Sequence, residues 1–147
     1  VMLDNENVNG LIRTPEVSMM ASECSALGVV RDFLLDMQRN LAKRNSVVMD
    51  GRDIGTVVLP NAKVKIFLTA SALARAKRRY NELLEKGTNI DLDSVLKDIE
   101  QRDYNDSHRE IAPLMQAEDA TLVDTTELDL EQSFELLLKT VNALSEE

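Results

Sequence analysis

Val47-Val48-Met49-Asp50-Gly51-Arg52-Asp53-Ile54-Gly55-Thr56 decides how this chain is read. The β-branched pair Val47 and Val48 runs into a break at Asp50-Gly51. That predicts a short buried strand ending where α/β proteins gather ligand groups, beyond a strand's carboxyl end. Asp50, Arg52 and Asp53 follow the apolar run at once, and Gly55 permits a second close turn of the backbone. An ordinary turn carrying solvated charges is the alternative, so the surroundings must decide for a binding site.

Towards the amino terminus, Thr14-Pro15-Glu16 is a helix start: a capping hydroxyl, a proline suited to the first turn and a carboxylate favourable to the dipole. Val17, Met20, Cys24 and Leu27 make one apolar stripe, which gives Cys24 a packing role. After Gly28 a second stripe follows, Val30, Phe33, Leu34, Met37 and Leu41. Val1 to Ile12 alternates weakly, and Asn9-Gly10 predicts a hairpin turn there.

Towards the carboxyl terminus, Val64 to Leu68 predicts a second strand, and Ser71 caps a helix that Gly87 stops near Lys86. Leu73, Ala76, Tyr80, Leu83 and Leu84 share one side of that helix. Arg75, Arg78 and Arg79 stand nearly opposite, as a cluster of guanidiniums or as a solvated face. In the next helix Leu92, Val95, Leu96 and Ile99 point inward, and Arg102, Asp106 and Arg109 continue the same sector. Buried charge is costly unless paired or ligated, so the trio forms an internal ion network or lines a pocket. Thr121 to Asp124 predicts a third strand. Asp129 and Gln132 have capping-box spacing ahead of a helix whose stripe is Leu130, Phe134, Leu137, Leu138, Val141 and Leu144.

The 147 residues, 44% hydrophobic and 29% charged, suit one globular α/β domain. A net charge of -9 opposes general binding to nucleic acid or to an anionic membrane. Without a membrane-length apolar run or a signal-like start, and with a single cysteine, a cytoplasmic location is expected. His108 has no ligand at metal spacing and is expected at the surface or at a helix end; no metal-binding residue is assigned.

Asp-Gly-Arg-Asp-Ile-Gly-Thr-Val-Val at 50 to 58, Val-Lys-Ile-Phe-Leu at 64 to 68 and Arg-Ala-Lys-Arg-Arg at 75 to 79 together resemble bacterial cytidylate kinase. The likeness continues through Glu85-Lys86-Gly87, Gln101-Arg102-Asp103, Asp106 to Arg109 and Ala112-Pro113-Leu114, and so covers essentially the whole chain. The Gly-x-x-x-x-Gly-Lys-Ser/Thr phosphate loop has no counterpart, so the resemblance is to the carboxyl-terminal two thirds of such an enzyme.

The resemblance implies a P-loop nucleoside monophosphate kinase-like parallel sheet with flanking helices, here incomplete. Strands 1 and 2 of the family are missing, and a gap lies where strand 1 would stand between strands 3 and 4. Residues 1–13 would end a CMP-binding insertion. Residues 14–147 would be a partial kinase core with a lid region at about 75–109. The implied activity is ATP-dependent phosphorylation of CMP or dCMP, with Mg2+ bridging the ATP phosphates. Ser22, Arg31 and Asp53 would hold the cytosine base. The carboxylate suits the exocyclic amino donor of cytosine, a donor that uracil lacks. Arg52 and Arg109 would face the monophosphate, Arg102 and Asp106 the ribose and phosphate, and Arg75, Arg78 and Arg79 the transferring phosphoryl group. The 147-residue chain alone is expected to show little or no turnover. Alternatives are a kinase for another nucleoside monophosphate, or a non-enzymatic nucleotide-binding or oligomerising fragment that pairs through the sheet gap.

Overall fold

The structure, a computed structural model, describes residues 1–146. Its elements are β1 (Met2–Leu3), β2 (Glu6–Asn7), α1 (Pro15–Ser25), α2 (Gly28–Arg44), a single π turn (Ile54–Val58), β3 (Ile66–Thr69), α3 (Ala72–Glu85), α4 (Leu92–His108), β4 (Thr121–Asp124) and α5 (Leu130–Glu146). None of these helices is long and apolar enough to cross a membrane.

β3 and β4 run parallel, Ile66 opposite Thr121 through to Thr69 opposite Asp124, with α3 and α4 connecting them. These two helices hold the core: Ala76, Leu83 and Val95 are buried, with Tyr80, Ile90, Leu92, Leu96 and Ile99 packed around them. Their ends are written in the sequence. Ser71 Oγ accepts from the Ala74 N–H at 3.2 Å and Asp91 Oδ1 from the Ser94 N–H at 2.8 Å. α3 stops where Gly87 takes φ +76°, and the N–H groups of Gly87 and Thr88 donate back to the carbonyls of Leu84 and Leu83, each at 2.9 Å. At α5 the Asp129 carboxylate accepts from the Gln132 N–H at 2.8 Å while the Gln132 side chain accepts from the Asp129 N–H at 3.1 Å, a reciprocal cap.

Three local expectations are corrected. The hairpin of β1 and β2 turns at Asp4-Asn5, both left-handed at φ +48° and +69°, and Asn9-Gly10 lies in the turn that follows. Asp and Asn tolerate that region nearly as glycine does, so the dipeptide with the short polar side chains takes the bend. Cys24 is exposed, as are Val17, Met20 and Leu27, and the buried residue of α1 is Ser22. The hydrophobic stripe faces away from the other elements, and a polar contact anchors the helix instead.

Val47 and Val48 form no strand, and Val48 is fully exposed. A strand exists through ladder bonds to a neighbour, and among the described residues none pairs with this one. A hollow of about 520 Å³ separates Met49 to Thr56 from β3. Because the parallel sheet is two strands wide, large apolar residues such as Phe33 on α2 and Phe134 on α5 remain uncovered.

Gly87→Ala forces a side chain into the left-handed region and is expected to lower stability by about 1 kcal/mol, read as a lower urea midpoint. Gly10→Ala, where an added Cβ meets no atom within 4 Å, is expected to leave the midpoint unchanged.

Candidate functional site

Two carboxylates of low exposure, Asp53 at 9% and Asp106 at 2%, gather charged groups from four parts of the chain. Asp106 faces inward from the last turns of α4, where its Oδ1 accepts from Ser22 Oγ of α1 at 2.9 Å and its Oδ2 from Arg52 Nε at 2.9 Å. Arg102, one helical turn earlier, brings its Nε to 3.7 Å from the same Oδ2. Asp53 leads into the π turn. One of its oxygens accepts from Arg31 of α2, and the other lies 3.6 Å from Arg109 Nη2. Arg109 is held just past the end of α4 because its Nε donates to the carbonyl of Ala112 at 2.6 Å, with Ala112 in the left-handed region at φ +51°. The Leu114 N–H also donates to the Asp106 carbonyl at 2.8 Å, folding that loop back on the helix end. Ser25, which sequence reasoning passed over, accepts from Arg31 at its carbonyl (3.0 Å) and from Arg109 at its hydroxyl (3.5 Å).

The arrangement carries more cation than anion. Four guanidiniums, of Arg31, Arg52, Arg102 and Arg109, surround two carboxylates and leave a surplus of two positive charges in a protein of net charge -9. Arg102 Nε and Arg109 Nη2 are buried without a hydrogen-bond acceptor among the described residues. Burial pushes the Arg109 pKa down, and the neighbouring Arg31 charge pushes it further. A bound anion would oppose both effects by favouring the charged guanidinium, and a phosphate monoester carries two negative charges against the surplus of two positive ones.

The sequence expectations fare unevenly in geometry. Ser22, Arg31, Arg52, Asp53, Arg102, Asp106 and Arg109 converge on one network, although they line no single hollow. Arg52 faces the 520 Å³ hollow beside β3, whereas Arg102 faces a smaller one of about 270 Å³ between α1, α3 and α4. The three arginines of α3 diverge, because each long side chain finds its own acceptors. Arg75 pairs bidentately with Asp103 at 3.1 and 2.5 Å. Arg78 clamps the β4–α5 loop through the carbonyls of Thr125 and Leu128. Arg79 reaches Glu82 at 2.8 Å and the Arg13 carbonyl at 2.7 Å. Arg75 and Arg78 still line the larger hollow with Arg52. Asp103 is a member of the site region that inward-face reasoning missed, since it lies a residue off the stripe of Arg102 and Asp106. His108 ends α4 with its ring stacked on Tyr104, centroids 4.0 Å apart. Among the described residues no group of three His, Cys, Asp or Glu side chains could hold a metal ion.

Residues 1–143 match the family model described as Cytidylate kinase. Among curated relatives, a cytidylate kinase of Caldicellulosiruptor bescii is 53% identical over 95% of this chain and 62% of its own length. One of Thermosipho melanesiensis is 51% identical over 95% and 64%. One of Flavobacterium johnsoniae is 48% identical over 95% and 61%. The chain thus spans about three fifths of the length of these relatives.

Asp106→Asn removes the charge that holds Arg52 and Arg102 together and is expected to lower unfolding free energy by about 2 kcal/mol in denaturant titration. The loss stays below that of a fully buried pair because both arginines are partly exposed and can rehydrate. On α3, hydrogen bonds from Lys86 and then Arg79 hold the Glu82 pKa down at about 2. A depressed carboxylate pKa stabilises the fold above the ordinary value of 4.5, and that contribution fades as pH falls towards 2. Lys86→Met is expected to move the Glu82 midpoint back up in an NMR titration.

Proposed function

The chain belongs to the cytidylate kinase family, with the α/β fold of nucleoside monophosphate kinases, and on that premise we propose that it carries the nucleotide-acceptor site of a CMP/dCMP kinase. The observation that carries this reading is the surplus of two positive charges around Asp53 and Asp106, together with the two buried guanidinium N–H groups that have no acceptor. In this role Arg52 and Arg109 take the monophosphate, and Arg102 with Asp106 takes the sugar-phosphate edge. Asp53 accepts from the cytosine amino group, and Arg31 and Ser22 donate to the ring acceptors. The phosphate is already ionised, so attack on a second phosphate needs alignment and charge neutralisation more than a general base.

Arg52, Arg75 and Arg78 on the larger hollow are the groups proposed to meet the negative charge of the transferring phosphoryl group. Arg79 lines the smaller hollow and not the larger one, and would need the lid helices to move before it could join them. ATP would supply the phosphoryl group, with Mg2+ neutralising charge on its phosphates. The residues present do not fit as their cradle: the sequence has no Gly-x-x-x-x-Gly-Lys-Ser/Thr loop, and among the described residues no group of three His, Cys, Asp or Glu side chains could hold a metal ion. What these residues do is bind and orient the acceptor and screen charge.

A second reading, an ion network that serves the fold alone, is favoured by one observation. Both oxygens of Asp106 already accept a hydrogen bond, and Asp53 lies between Arg31 and Arg109. Titration calorimetry separates the two. The chain is expected to bind CMP at least tenfold more tightly than UMP, a difference of about 1.4 kcal/mol, and Asp53→Ala is expected to abolish that preference. No heat with millimolar CMP would leave the network reading standing. The 147-residue chain is further expected to give no measurable CDP from CMP and ATP in a coupled assay.

A further inference from the structure

Asp53 is gripped at its carboxylate, but the backbone that aims it is gripped elsewhere. The carbonyl of Asp53 accepts from the N–H groups of Val57 at 2.9 Å and Val58 at 3.2 Å, and the Leu59 N–H donates to the Ile54 carbonyl at 2.7 Å. The bonds from Val58 and Leu59 are wide i→i+5 closures and define the π turn, a conformation that an isolated segment would abandon for an α-helical or open form. The carbonyls of Val57 and Val58, at the far end of the turn, both accept from the half-buried Arg39 of α2: Nη2 to Val57 at 2.8 Å and Nε to Val58 at 3.1 Å. A continuous relay therefore runs from the Arg39 guanidinium through the Val57–Val58 peptide to the Asp53 carbonyl, and through the Val58–Leu59 peptide to the Ile54 carbonyl. Arg31, on the same helix about two turns earlier, takes the Asp53 carboxylate. One rigid helix thus fixes both ends of the segment, and the planar fork of Arg39 matches two adjacent carbonyls as no single-point cation could.

We propose that Arg39 is a positioning residue for nucleotide selection: it holds the π turn over Ile54–Val58 and thereby sets the aim of Asp53. Its consequence for ligands rests on the acceptor-site reading above, whereas its grip on the turn does not. Arg39→Met and Arg39→Lys are compared with wild type and with Lys43→Met, which removes an exposed charge from the same helix. Hydrogen exchange is read at the amides of Val57, Val58 and Leu59, and affinity is read for CMP, UMP and ribose 5-phosphate. Arg39→Met is expected to speed exchange at these three amides at least tenfold and to bring the CMP-to-UMP affinity ratio close to one. Exchange within α4 and ribose 5-phosphate affinity should stay as in wild type. Arg39→Lys, able to reach one carbonyl, should fall between, and Lys43→Met should match wild type. Unchanged exchange at the turn overturns the proposal, and so does a uniform rise in exchange with equal weakening of all three ligands. A wild-type chain with no CMP preference instead removes the acceptor-site reading, and the exchange measurement, which needs no nucleotide, still decides whether Arg39 holds the turn.

Discussion

Two carboxylates that share four guanidiniums are the joint of this molecule. α2 has no fully buried residue, and the one buried residue of α1 is a serine bonded to Asp106, so apolar packing does little to tie these helices to the rest. The hydrophobic core lies in α3 and α4. What brings α1, α2, the Asp50–Asp53 turn and the end of α4 together is Ser22, Arg31, Arg52, Arg102 and Arg109 closing on Asp53 and Asp106. Buried ion pairs seldom add much net stability, because desolvation offsets their attraction. An ionic joint where a hydrophobic one would serve stability equally well marks these charges as candidates for ligand binding.

Much of this was legible in the sequence wherever local chemistry decides structure. The caps at Thr14, Ser71 and Asp129 and the stop at Gly87 follow from side chains acting within a few residues of themselves. The network was half legible. Arg102 and Asp106 break an inward apolar stripe, and a charge on an inward face must find a partner, but nothing local says that the partners are Arg52 and Ser22, 54 and 84 residues away from Asp106. The β-branched signal at Val47 and Val48 failed for the opposite reason. It reports a preference that only a neighbouring strand can realise, and this sheet offers none beside it.

The π turn and Arg39 were invisible to pattern reading. Period-based rules recognise repeats of two or 3.6 residues, and a single wide turn has no period. Arg39 carries no sequence signal of its own, because its acceptors are main-chain carbonyls that no side-chain pattern announces. The exposed stripe of Val17, Met20, Cys24 and Leu27 shows the matching limit: periodicity identifies a face without saying what covers it.

The arginines of α3 show how spacing and reach differ. Positions i, i+3 and i+4 put Arg75, Arg78 and Arg79 on one side of the helix, yet a guanidinium ends several bonds from its backbone and goes where acceptors are. Arg75 finds Asp103 of α4, Arg78 the carbonyls beyond β4, and Arg79 the Arg13 carbonyl ahead of α1. These contacts hold α3 against three different parts of the fold, so any movement of the α3–α4 unit must exchange them for others. Arg52, Arg75 and Arg78 line the larger hollow together, and an anion held there would give Arg75 and Arg78 a replacement acceptor for the contacts such a movement breaks.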